Sequence, residues 1–246
     1  VLKDARVFFR DATQWSQLII LGVLVVAYVY NIRVLPLRSS EAVGPFLVSL
    51  VGFLNVALTG FVLSAVASRF VFPSLSLEGR TLWLLRSSPL APEALLWSKY
   101  WSGAVPLLGL ALLLSALTGA ALGLRPVLLA LSLVSVAGLT LAFTAQALAW
   151  GITYPKFESE NPAQIPTSIG GLLFMLGALA TLSAVVASQF WILRSFLASS
   201  LPWRASREPL TGEIAAAFLV TAGLCAAATV WPYRHALREL AELEAG

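Results

Sequence analysis

The chain has 246 residues, of which 59% are hydrophobic and only 11% charged, with a net charge of +4. Soluble domains carry about 25% charged residues, so this composition excludes a soluble fold and indicates a polytopic, all-α membrane protein. One cysteine (Cys225) and one histidine (His235) exclude an intrachain disulfide and a Cys/His zinc site.

Residues 1–16 open the chain. At 100° per residue, Leu2, Ala5, Phe8, Phe9, Ala12 and Trp15 fall on one arc, with Lys3, Asp4, Arg6, Arg10, Asp11 and Gln14 opposite and Val7 the exception. This is an amphipathic helix, lying in the membrane interface as an elbow or continuing the first span into the cytosol. It is not a signal peptide, because acids and bases are mixed and there is no apolar core or cleavage site. The single methionine is Met175, so the chain is expected to be a C-terminal fragment with more sequence before Val1.

Six apolar runs follow, at about 17–33, 43–67, 101–124, 127–151, 169–193 and 213–232. Each is long enough for a hydrocarbon core of about 30 Å, which takes roughly 17–25 helical residues. The third and fourth are joined only by residues 123–126 and predict a helical hairpin. Strand-like alternation, the mark of a barrel, is missing. With the N-terminus inside, ten Lys and Arg fall on the inner side and six on the outer, so both termini are expected in the cytosol. The basic residues are topology signals, not a nucleic-acid patch.

The polar residues inside the runs are neutral, as with Asn55, Thr59 and Ser64 in the second and Thr140, Thr144 and Gln146 in the fourth. Asn55 and Thr59 share one helix face. Such residues either line a translocation path or bond helix to helix, at about 0.6 kcal/mol each. Small residues in the last two runs (Gly170, Gly171, Gly177 and Ala178, then Ala215, Ala216, Ala217, Ala222 and Gly223) predict close helix packing. No run carries Asp, Glu, Lys, Arg or His at its centre, which argues against a proton relay or an intramembrane aspartyl protease.

Residues 69–99 form the long charged insert between the second and third runs. It holds Arg69, Arg80, Arg86 and Lys99 with Glu78 and Glu93, punctuated by Pro73, Gly79, Pro89 and Pro92. Ser74 or Ser76 can cap a short helix whose first turns carry Glu78. Trp83, Leu84 and Leu85, flanked by Arg80 and Arg86, then offer an aromatic and apolar anchor; the same tryptophan could instead seat the segment on the bilayer. Ser88 and Pro89 stop this helix, and Pro92 with Glu93 open the next. The loop 152–168 carries Glu158 and Glu160 between prolines; it is a solvated loop or a second protein contact, with Thr167 or Ser168 capping the fifth span. Residues 194–212, with Trp203 and two prolines, suit the outer interface, and the charged tail from Tyr233 is a helical end in water.

Three blocks of this sequence resemble ABC-2 type exporter permeases of a bacterial subfamily. In the insert these are Glu78-Gly79-Arg80-Thr81, Trp83-Leu84-Leu85, Ser88-Pro89-Leu90, and Leu95, Leu96 and Lys99. The second is Lys3-Asp4 with Phe9-Arg10-Asp11 and Thr13-Gln14-Trp15-Ser16-Gln17. The third runs through Tyr154-Pro155-Lys156-Phe157, Glu160-Asn161-Pro162-Ala163 and Ser168 to Gly170-Gly171. The resemblance covers nearly the whole chain. It implies an elbow helix, six spans in a bacterial cytoplasmic membrane, and a cytosolic coupling helix between spans two and three that docks on a partner ATPase. The coupling residues would be Glu78, Gly79, Arg80, Trp83, Leu84 and Leu85. The chain has no GxxxxGK[ST] phosphate loop, so Mg-ATP is expected on the partner, with no cofactor here and a second permease half or a second copy completing the transporter. Two other readings fit the composition: a membrane enzyme acting on lipid, for which Lys156, Glu158 and Glu160 are the only candidates, and a non-transporting scaffold.

Overall fold

The structure, a computed structural model, describes residues 44–74, 76, 92–155, 165–199 and 211–245, together with Val23, Val26 and Tyr30. Among these residues the architecture is entirely helical. Five helices are long and apolar enough to cross a membrane: α1 (Gly44–Phe70), α2 (Pro92–Leu122), α3 (Pro126–Thr153), α4 (Ile169–Ser199) and α5 (Thr211–Ala245). A 3₁₀ turn, Phe72–Ser74, follows α1. Val23, Val26 and Tyr30 of the first apolar run are helical and exposed. The rest of that run, the amphipathic helix 1–16 and residues 77–91 lie outside the described residues.

Two helices extend beyond the hydropathy pattern. α2 begins at Pro92, with Glu93 in its first turn, so Trp97, Lys99 and Tyr100 belong to the helix that becomes the span. The polar first turns depress a hydropathy window without interrupting the backbone hydrogen bonds. α5 runs through Pro232 into the charged tail as one helix, although a proline there removes a backbone donor and crowds the preceding turn.

The turn between α2 and α3 takes three residues. The Gly123 N–H donates to Ala120 O and the Leu124 N–H to Gly119 O, both at 3.1 Å. That pair of bonds is the Schellman closure of a helix, and it places Gly123 at φ 63°. Pro126 then occupies the first turn of α3, where a missing N–H costs nothing. Leu124 turns back onto α1, where a Cβ on Gly52 would lie 2.5 Å from its Cδ2. Glycine at 52 therefore lets α1 pack against the hairpin turn. At the start of α4, Ser168 accepts from the Gly171 N–H through its side chain at 3.3 Å and from the Leu172 N–H through its carbonyl at 2.9 Å, which makes it the N-cap.

α3 is the centre. It packs against each of the other four helices, and every residue from Ala142 to Ala149 is buried. Its sequence permits this: Ala142, Ala145, Ala147 and Ala149 leave room for neighbours all round. Thr140 and Thr144 satisfy their own hydroxyls on Val136 O (2.7 Å) and Thr140 O (2.9 Å). One core joins Leu63, Leu96, Leu139, Phe143, Phe174 and Val185 from four helices. Cys225 brings α5 onto α3 at Gly138, where a Cβ would meet its Sγ at 2.8 Å. The outward faces of α4 and α5 are apolar, as at Leu172, Leu176 and Leu219; that exposure would be a liability in water and is what lipid solvates.

Gly123→Ala, which forces a Cβ into the left-handed region and loosens the Schellman closure, lowers stability by about 1 kcal/mol or more. Unfolding in detergent micelles, followed by circular dichroism, measures it; Gly109→Ala, inside a helix with nothing within 4 Å, leaves stability unchanged or raises it by up to about 1 kcal/mol, the opposite direction.

Candidate functional site

The coupling residues expected from sequence, Glu78, Gly79, Arg80, Trp83, Leu84 and Leu85, lie outside the described residues, as do Lys156, Glu158 and Glu160. The two roots of the segment that carries the first six are well defined. At the first root α1 ends, the Val71 N–H reaches back to Ala67 O at 2.9 Å, and the 3₁₀ turn closes with Ser74 N to Val71 O at 3.1 Å. The chain does not leave the bundle here. Val71, Phe72 and Pro73 are all buried, and Phe72 is 1% exposed.

Three glycines make room for this wedge. A Cβ on Gly103 of α2 would lie 3.0 Å from Val71 Cγ2. One on Gly151 of α3 would lie 2.6 Å from the Phe72 carbonyl oxygen, and one on Gly170 of α4 would lie 3.2 Å from Phe72 Cζ. The Phe72 ring stacks on Phe174, centroids 6.3 Å apart. The root of the insert is thus wedged against the last turn of α3 and the first turns of α4, which flank the loop 152–168. Reading the sequence alone misses Phe72. The available signal was an aromatic-proline pair directly after a span, but its glycine partners lie far away in the chain.

The second root is α2 itself. Trp97, Tyr100 and Trp101 pack edge-on or stacked at centroid distances of 5.5–6.3 Å, and Tyr233 of α5 joins them, 5.6 Å from Tyr100. The Tyr100 hydroxyl donates to Leu141 O at 3.3 Å, tying α2 to α3. Trp150, stacked on Tyr154 at 6.0 Å, and Trp231 lie at this same end. At the opposite end, Arg194 sits over the ring of Trp191 at 4.4 Å. Aromatic residues at both ends of a bundle mark the two membrane interfaces.

The interior polar residues form two clusters. Near the Gly123 end, Asn55 donates its Nδ2 to Thr118 Oγ1 at 2.7 Å, Ser115 and Ser132 are 3.2 Å apart, and Gln189 donates to Ser135. Ser49, Ser132 and Gln189 border a small pocket there. Thr59, one turn beyond Asn55, is buried and its hydroxyl has no partner. In the other cluster, toward Phe72, Gln146 Nε2 donates to Thr181 Oγ1 at 2.7 Å. Asn55 and Gln146 therefore each bond to a different neighbouring helix. At about 0.6 kcal/mol per interhelical bond, these contacts are small beside the loss of a buried aromatic ring, about 3–5 kcal/mol. The Phe72 wedge dominates. Among the described residues no group of three or more His, Cys, Asp or Glu could hold a metal ion.

A family model described as "Putative ATP-binding cassette" matches residues 1–245. The chain belongs to that family, and it is related to ABC transporters. No curated protein and no solved structure matches it.

Phe72→Ala costs about 3–5 kcal/mol, and Gly151→Ala is strongly destabilising because its methyl meets a backbone carbonyl. Gly223→Ala, with nothing within 4 Å, leaves stability unchanged or raises it by up to about 1 kcal/mol through helix propensity. Denaturant titration of the three variants in one detergent tests the ranking.

Proposed function

We propose that this chain is the membrane-spanning permease subunit of an ATP-driven exporter of the ABC-2 type, with ATP bound and hydrolysed on a partner subunit. Membership of an ATP-binding-cassette family supports the transporter class. Five helices among the described residues that are long and apolar enough to cross a membrane and the lack of a phosphate loop in the sequence support the division of labour.

The observation that carries the reading is the Phe72 wedge. A segment that docks on an ATPase transmits its motion only if its root is stiff. Here the root is held by α2, α3 and α4 together, so a pull on residues 77–91 reaches three spans at once.

Charge supports placing the Phe72 end on the cytosolic side of a bacterial inner membrane. Among the described residues it carries Arg69, Lys99, Arg234 and Arg238, against Arg125 and Arg194 at the other end. Both chain termini are then cytosolic. A second copy or a second permease half completes the path. Glu78 through Leu85 form the contact, with Trp83 as its anchor.

Purified in mild detergent, the chain retains a nucleotide-binding subunit and stimulates its ATPase activity. Trp83→Ala combined with Glu78→Ala lowers that stimulation about tenfold or more, equivalent to about 1.4 kcal/mol of lost contact. Undiminished stimulation in the double variant, or no nucleotide-binding subunit bound to the wild type, sinks the proposal.

A further inference from the structure

Gln146 on α3 is 6% exposed. Its Nε2 donates to Thr181 Oγ1 at 2.7 Å, and Thr181 donates in turn to Gly177 O of its own helix at 2.9 Å. A hydroxyl has one proton. Thr181 donates to Gly177 and accepts from the Gln146 NH₂, and Gln146 Oε1 points elsewhere, buried and without a hydrogen-bond partner.

What it faces is Gly177, where a side-chain methyl would fit at ordinary contact distance. A Cβ on Gly177 would lie 3.5 Å from Gln146 Oε1 and 3.6 Å from Trp150 Nε1, with nothing else of a neighbouring element within 4 Å. Gln146 and Trp150 are four residues apart and share one face of α3. One strong acceptor and one N–H donor therefore flank the same small space. Trp150 and Gly177 are both half-buried, so the space is reached from the flank of the bundle between α3 and α4.

We infer that this notch is a binding site for a hydroxyl group, that of a water molecule or of an alcohol-headed amphiphile. The hydroxyl donates to Gln146 Oε1 and accepts from the Trp150 indole N–H. A carboxylate would set its oxygens against Gln146 Oε1, and an ammonium would set its protons against the indole N–H. Only a group that both donates and accepts satisfies the pair. The inference rests on this geometry alone and holds whether or not the chain works as an exporter.

The test is ¹⁵N-indole NMR of the whole chain in detergent micelles, with the Trp150 signal assigned by its loss in Trp150→Phe. In the wild type, the Trp150 indole proton shows a cross-peak to bound water, or shifts saturably with n-decanol and not with n-decane. A water cross-peak without a decanol shift identifies water as the occupant; a saturable decanol shift identifies an alcohol. Gly177→Ala puts a methyl into the space at ordinary contact distance and abolishes either signal. Gln146→Leu, which leaves the Thr181–Gly177 bond intact, weakens the decanol response about tenfold or more. A wild-type signal with neither water cross-peak nor decanol shift, an equal response to decane, or an unchanged response in both variants overturns the assignment.

Discussion

Helices surrounded by lipid gain little from excluding water, because the tails around them are as apolar as their own side chains. What remains is the closeness of approach, and in this protein that closeness is concentrated on α3. Its alanines let four helices crowd round it, and its threonines bond to their own backbone and ask nothing of their neighbours. Near its middle and at its end glycines take over. Gly138 admits Cys225 of α5, and Gly151 admits the backbone of the 3₁₀ turn after α1. Remove the small residues and the helices would still form, but they would stand apart.

This dependence explains which features were readable in the amino-acid order. The apolar runs announce themselves by length, and the short connection at Gly123 with Pro126 signals a hairpin because each residue has a local backbone reason to be there. Ser168 likewise caps α4 through bonds made within four residues. The wedge at Phe72 had no such local signature. It depends on Gly103, Gly151 and Gly170, which come from three different helices, and nothing in the chain order says that they meet. Asn55 was equally opaque: its polarity inside a span was plain, whereas its pairing with Thr118 is a fact of helix packing. The start of α2 was legible for the same local reason, since Pro92 and Glu93 mark a helix N-terminus; average hydropathy alone places the apolar run nine residues later, because Trp97, Lys99 and Tyr100 suit an interface.

The arrangement also separates stiffness from polarity. The stiff contacts, Phe72 with its glycines and the Trp97–Tyr100–Trp101–Tyr233 cluster, stand at the end where the charged insert leaves and re-enters the bundle. The neutral polar side chains lie deeper, in two separate groups tied to different helices. Motion delivered at the Phe72 end would reach α2, α3 and α4 through aromatic and backbone contacts, which resist displacement more than single amide–hydroxyl bonds do.

α5 is 35 residues long, about 52 Å of helix, against a hydrocarbon core of about 30 Å. Unless it is steeply tilted, some of it stands clear of the lipid. Yet Ala236 and Leu240, near its far end, belong to the same continuous core as Leu139 and Phe143. One core therefore straddles two solvents. Its lipid-embedded part is held by contact alone and contributes almost nothing to the heat capacity of unfolding. Its protruding part excludes water in the ordinary way and carries the positive heat capacity and denaturant sensitivity of a soluble domain. The two ends of this bundle should thus respond differently to cooling and to urea, although no boundary divides them in the packing.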